Sequence, residues 1–200
     1  MKASIIGASG YAGEELIRLL HGHPQVEITY MTSERHTGKS ISSLYPHLMN
    51  IYDSELESME NVRHIAEDSD VIFIALPHGH AMKIAQTVSD LPVRIIDLGA
   101  DYRFTDTAIY EEWYHVKHTD PNADRAYGLA ELYRAQVKQA RIIGNAGCYT
   151  TASILALAPL VKTHLVRVDS ILVDAVSGVS GAGRSPKERT HYPEFYDSFT

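Results

Sequence analysis

The sequence predicts an α/β protein built on a doubly wound, parallel sheet. Three observations predict it. Short apolar runs alternate along the chain with longer stretches of helical period. Two of the runs, Val71–Leu76 (VIFIAL) and Val93–Leu98 (VRIIDL), are nearly continuous apolar segments, as strands covered on both faces are. A glycine-rich turn joins the first apolar run to the first helical stretch.

The elements follow in order. Ala3–Ile6 reads as the first strand, and Ala12–Leu20 as a helix with Leu16, Leu19 and Leu20 at helical spacing. Val26–Met31 is a second strand. Residues 36–63 show no clean period and read as loop with short helices. Val71–Leu76 is a strand, Ala81–Val88 a helix, and Val93–Leu98 another strand. Leu129–Val137 is helical, Arg141–Gly144 a short strand, and Cys148–Val161 a helix. Ser170–Val176 (SILVDAV) reads as a last strand with an exposed apolar edge.

Composition narrows the function classes. With 44% hydrophobic and 22% charged residues, the 200-residue chain is ordinary globular protein. A net charge of −7 argues against a nucleic-acid surface, and no apolar run reaches the ~18–20 residues of a membrane span, so neither partner is expected. The single cysteine, Cys148, cannot form an intrachain disulfide, which suits a reducing, cytoplasmic setting. The pairs His21/His23 and His78/His80 lack a third ligand nearby, so no metal is expected. His115, His118 and His164 read as residues of solvated faces.

Gly7-Ala8-Ser9-Gly10-Tyr11-Ala12-Gly13 spaces its glycines G-x-x-G-x-x-G between strand and helix. The first glycine allows a tight turn. The second lets the backbone approach a diphosphate, and the third lets helix and strand pack closely. Gly7, Ser9, Gly10, Tyr11, Ala12 and Gly13 are the candidate cofactor residues, with the helix N-terminus facing the phosphates. The end of the second strand selects the dinucleotide. Acids there suit NAD, whereas small polar and basic residues suit the 2′-phosphate of NADP. In Thr32–Lys39, Ser33 and Arg35 favour NADP, Lys39 is a weaker third candidate, and Glu34 is a contrary sign.

Gly144–Thr151 (GNAGCYTT) places Cys148 where a strand and glycine turn hand over to a helix. A helix N-terminus favours thiolate, and its free N–H groups hold an oxyanion formed at an attacked carbon. Cys148 is therefore the candidate nucleophile, with Asn145 and Thr151 as hydrogen-bonding neighbours.

Seven segments in order carry a resemblance: Gly7–Leu16 (GASGYAGEEL), Thr32–Lys39, Ala75–Gly79 (ALPHG), Asp97–Arg103 (DLGADYR), Tyr127–Leu132 (YGLAEL), Gly144–Thr151 and Ser177–Arg184 (SGVSGAGR). Together they resemble the N-acetyl-gamma-glutamyl-phosphate reductase family of arginine biosynthesis. That family shows Pro where Ala130 and Ala146 stand here. The resemblance implies a Rossmann-type NADP-binding domain followed by the start of a glyceraldehyde-3-phosphate-dehydrogenase-like α+β catalytic domain. It implies NADPH-dependent reduction of an acyl phosphate to an aldehyde through a thioester on Cys148. By analogy with related semialdehyde dehydrogenases Arg103 takes the substrate phosphate; Asn145 is a further substrate candidate, and Ser180, Gly181 and Arg184 form a glycine-rich loop with one cation that suits a substrate carboxylate or phosphate, or else a plain surface turn. Arg103 reads equally well as a structural partner of Asp97, Asp101 or Asp106, and His78 as a shaper of the nicotinamide pocket.

Residues 148–200 offer one helix and one strand, too little to close a sheet and core. The expected division is a dinucleotide-binding domain over 1–147 and the beginning of a catalytic domain over 148–200, with the family's catalytic histidine beyond Thr200. A small-molecule acyl phosphate and a homo-oligomer, dimer or tetramer, are the expected partners. Two other readings stay open: an acyl-phosphate reductase of the aspartate- or aminoadipate-semialdehyde dehydrogenase type, and a cofactor-binding module without catalysis.

Overall fold

The computed structural model describes residues 1–195, which divide into two compact units, Met1–Asn145 and a second that begins at Ala146. In the first unit, six strands form one wholly parallel sheet in the order β2-β1-β3-β4-β6-β5. They are β1 (Lys2–Ile6), β2 (Glu27–Met31), β3 (Val71–Ile74), β4 (Arg94–Asp97), β5 (Arg125–Gly128) and β6 (Ile142–Asn145). From β1 the chain winds outward to β2, then returns to β3 on the other side. The direction of winding thus reverses between β1 and β3, where the crevice of such sheets lies.

Alternation of side chains gives the sheet two cores. Ile6, Ile72, Ile74, Ile95 and Ile142 share one face with α3 (Val62–Glu67) and α4 (Ala81–Thr87). Ile5 joins the other, under α1 (Tyr11–His21) and α2 (Ile41–Leu44), with Ile17, Ile41, Leu48 and Leu56. The aperiodic stretch does hold short helices, including single 3-10 turns at Pro46–Leu48 and Met59–Asn61. A groove of about 980 Å³ lies against Val71, Phe73, Ile96 and Ile143 beside α6 (Ala130–Gln139). Its lining includes Met1, Asp70 and Arg94, which begin or precede strands, so it sits away from the glycine turn.

Among the elements unread in the sequence are a helix and an edge strand. α5 (Thr107–Tyr114) is capped by Asp106, whose side chain accepts from Ala108 N at 2.9 Å, and it buries Tyr110. The edge strand β5 is held by Arg125, which donates to the carbonyls of Phe104, Thr105 and Pro121 at 3.0, 2.8 and 3.1 Å.

The second unit opens with α7 (Cys148–Lys162) and continues through short 3-10 turns to α8 (Tyr192–Phe195). The strand expected at Ser170–Val176 is corrected: residues 171–177 form no regular element, and Leu172 is 96% exposed. A strand exists by pairing, and this unit contains no other strand among its described residues. His118 is corrected too. It is buried, with Nε2 2.8 Å from the Asp101 carbonyl and Nδ1 accepting from Asp120 N at 3.1 Å.

Candidate functional site

The glycine turn follows β1 at the carboxyl edge of the sheet. Gly7 has φ +92°, and a Cβ there would lie 2.6 Å from the Ala75 carbonyl oxygen. A Cβ on Gly13 would lie 2.6 Å from the Ala8 Cα, so helix and strand close over this position. Gly10 differs. It is the N-cap of α1, and a Cβ there would meet nothing nearer than the Gly7 carbonyl at 3.8 Å. The turn therefore has two packing glycines and one open one.

Hydrogen bonds hold it in place. Gly7 N donates to Thr32 Oγ1 at 3.2 Å and Ala8 N to the Thr32 carbonyl at 2.9 Å. The Ser9 and Ser33 hydroxyls meet at 2.8 Å, and the buried Tyr45 phenol donates to the Ser9 carbonyl at 3.0 Å. Thr32 and Tyr45 were not singled out in the sequence. Thr32 carried a faint signal, as a hydroxyl ending a strand; Tyr45, in an aperiodic stretch, carried none.

The residues fit a dinucleotide. α1 runs for 11 residues and begins at Gly10 without a side-chain cap, which leaves its first N–H groups for an anion. Tyr11 and Ala12 are exposed in that first turn. Arg35 is exposed and makes no ion pair among the described residues, which suits an added phosphate. Glu34 and Lys39 are exposed beside it. Ser33 is only 2% exposed, with its hydroxyl on Ser9.

Past β4 the chain turns through a cluster of buried acids. Asp97 is fully buried, accepts from Gly99 N at 2.8 Å, and leaves Oδ2 without a hydrogen bond among the described residues. Burial, aided by the like charge of Asp101, pushes its carboxyl up to about 6, against the pull of backbone N–H groups and Arg103. Asp101 accepts from Gly79, Ala81 and Met82 N at 2.6, 2.9 and 3.3 Å, and from the Tyr110 phenol at 2.9 Å. It serves as a remote cap for α4. Burial and the Asp101 bond raise the Tyr110 phenol well above its usual range.

Arg103 pairs with none of these acids. It donates to the Asn145 carbonyl at 2.7 Å, the Leu98 carbonyl at 3.3 Å and the Tyr114 hydroxyl at 3.4 Å. Gly144 permits this: a Cβ there would strike the Tyr102 carbonyl, so the 98–103 turn lies directly on β6. Arg103 and Asn145 are thus brought together by the end of β6. His78 is exposed, its ring 5.2 Å from that of Tyr114.

In the second unit, Cys148 is an exposed free thiol in the first turn of the 15-residue α7. Gly147 is the N-cap and, lacking a side chain, supplies no side-chain cap of its own. Thr151 N closes the turn onto the Gly147 carbonyl at 2.8 Å. This is the arrangement an oxyanion needs beside a nucleophile. Ser180, Gly181 and Arg184 lie on an exposed turn with Gly183 at φ +85°. No cluster of His, Cys, Asp or Glu that could hold a metal occurs among the described residues, and none of their helices is long and apolar enough to cross a membrane.

Residues 2–140 match the family model for the semialdehyde dehydrogenase NAD binding domain, and residues 148–200 that for the semialdehyde dehydrogenase dimerisation domain. The chain is 48% identical over its whole length to an N-acetyl-gamma-glutamyl-phosphate reductase of Desulforamulus reducens and 47% identical to one of Geobacter sulfurreducens, covering 58% of each. A relative of the same name from Methanosphaera stadtmanae is 45% identical over 98% of this chain and 55% of its own. The chain thus spans less than two thirds of these relatives. Two solved structures share the fold: aspartate semialdehyde dehydrogenase II of Vibrio cholerae complexed with ASA (TM-score 0.60, 19% identity), and aspartate semialdehyde dehydrogenase of Candida albicans with NADP (TM-score 0.58, 20% identity). Each match covers 80% of this chain and 46% of the other.

Proposed function

The chain belongs to the semialdehyde dehydrogenase family, and from that premise we propose that it forms part of a cytoplasmic, homo-oligomeric enzyme of arginine biosynthesis that reduces N-acetyl-gamma-glutamyl phosphate with NADPH. The products are N-acetylglutamate 5-semialdehyde and phosphate. The observation that carries this reading is the identity of 44–48% with reductases of that name along the full chain.

The glycine turn and the α1 N-terminus hold the diphosphate of NADP, and Arg35 meets its 2′-phosphate with a charge-assisted hydrogen bond. When bound, NADPH supplies the hydride. The Cys148 thiolate attacks the acyl carbon. A C–S bond forms, the bond to the phosphate oxygen breaks, and phosphate leaves with the electron pair. The first N–H groups of α7 hold the oxyanion during this exchange. Once the thioester is reduced, the resulting thiohemiacetal oxyanion collapses: an oxygen lone pair re-forms the carbonyl, the C–S bond breaks, the thiolate returns and the aldehyde departs. A thiol suits both halves because thiolate leaves more readily than alkoxide. Arg103 and Asn145 in the first unit, and separately Ser180, Gly181 and Arg184 in the second, are the residues proposed to bind substrate.

The test is NADPH oxidation by the intact polypeptide with three acyl phosphates, N-acetylglutamyl, aspartyl and aminoadipyl. The N-acetylglutamyl substrate is expected to lead in kcat/KM by at least roughly tenfold, the scale a substrate pocket achieves through differences of this size. A lead by another acyl phosphate would overturn the substrate assignment. Absence of turnover with all three would overturn the reaction class.

A further inference from the structure

We infer that Ser33 is a positioning residue: its hydroxyl bond to Ser9 couples the grip on the 2′-phosphate to the grip on the diphosphate. The inference rests on the reading that the Gly7–Gly13 turn holds NADP. Ser33 sits at the root of the loop that carries Arg35, yet at 2% exposure it has no surface to offer a phosphate. What it touches is Ser9, at 2.8 Å, inside the diphosphate turn.

The stretch between α2 and α3 braces the same two loops. Ser33 N donates to the Glu57 carbonyl at 3.1 Å and Gly38 N to the Leu56 carbonyl at 2.8 Å. Thr37 Oγ1 donates to the Ser33 carbonyl at 2.7 Å. Tyr45, from that stretch, reaches across to the Ser9 carbonyl. Each loop is therefore tied to a common frame, and the serine pair ties them to each other.

The chemistry gives the bond a direction. A hydroxyl has one hydrogen and two acceptor sites. With Ser33 donating to Ser9, the single hydrogen of Ser9 turns to a diphosphate oxygen, and the two bonds strengthen one another. Ordering Ser9 on the diphosphate then orders Ser33, and with it the backbone that presents Arg35.

Equilibrium titration of the intact polypeptide with NADPH and NADH tests this in Ser9→Ala, Ser33→Ala, the double variant and Arg35→Ala. Each serine variant is expected to weaken NADPH by about three- to tenfold, the scale of one hydrogen bond. Ser33→Ala also lowers the preference for NADPH over NADH. The double variant binds NADPH no more weakly than Ser9→Ala alone. Arg35→Ala weakens NADPH and leaves NADH unchanged. Ser9→Ala breaks the bond from the less buried side, so the result does not depend on the buried variant folding. Losses that multiply in the double variant overturn the coupling, as does an unchanged preference in Ser33→Ala. A wild-type chain that binds neither dinucleotide overturns the cofactor reading itself, and the coupling with it.

Discussion

Asp97 is a carboxyl held away from water beside a second acid, and its proton is correspondingly hard to remove. Its folded value of about 6 lies above the ordinary 3.8. The folded state therefore binds this proton more tightly than the unfolded chain does. The contribution to stability is complete below about pH 4 and is lost as the pH rises through about 6, by roughly 3 kcal/mol in all. Asp97→Asn removes this dependence. Relative to wild type, the variant should gain stability between pH 4 and 7 and hold a constant difference above that, read by chemical denaturation across the range. A difference that stays flat from pH 4 to 7 would contradict the assignment. The neighbouring residues explain what a sequence conveys at this scale. The DLGADYR segment was visible as a candidate site, with Arg103 read equally as a phosphate ligand or as an ion-pair partner of nearby acids. Instead the buried backbone took both groups. Asp101 caps N–H groups and Arg103 satisfies carbonyls, because buried peptide groups rarely go unpaired. His118 went the same way, drawn into the core by two backbone partners.

At the scale of elements, the glycine turn separates packing from binding. Gly7→Ala combines a positive φ with a Cβ 2.6 Å from a carbonyl oxygen, and should cost roughly 2–4 kcal/mol of stability. Gly10→Ala meets open space and loses only a little as an N-cap, within about 1 kcal/mol. Its methyl group, however, enters the open side of the turn proposed to hold the diphosphate. Thermal melts and NADPH titrations of the two variants should therefore diverge: Gly7→Ala melts early, while Gly10→Ala melts near wild type and binds weakly. Equal melting losses would contradict the division. The first β–turn–α unit was legible because its pattern is local: apolar strand, spaced glycines, amphipathic helix. The edge strand β5 was not, since an edge needs only one buried face and Arg125 holds it through carbonyls scattered over residues 104–121. α5 had a readable cap in Asp106, but only Tyr110 of its eight residues is buried, which leaves little apolar pattern to read. Ser170–Val176 erred in the other direction. Its composition is that of a strand, and composition says nothing of a partner.

For the whole molecule, the parallel sheet gathers the carboxyl ends of β1, β2, β4 and β6 on one edge, and the candidate residues of the first unit lie there. This clustering was foreseeable from the order of elements. The irregular backbone at 171–177 was not, because strand-like composition does not say whether a pairing partner exists. The proposed function rests on a covalent step, which makes its consequences countable. Without phosphate, oxidation of N-acetylglutamate semialdehyde by the intact polypeptide and NADP should stop at the acyl-enzyme. The account predicts one equivalent of NADPH per chain, an N-acetylglutamyl group on Cys148 by mass spectrometry, and resumed turnover when phosphate is added. Steady turnover without phosphate, or a burst with no acyl group on Cys148, would contradict it.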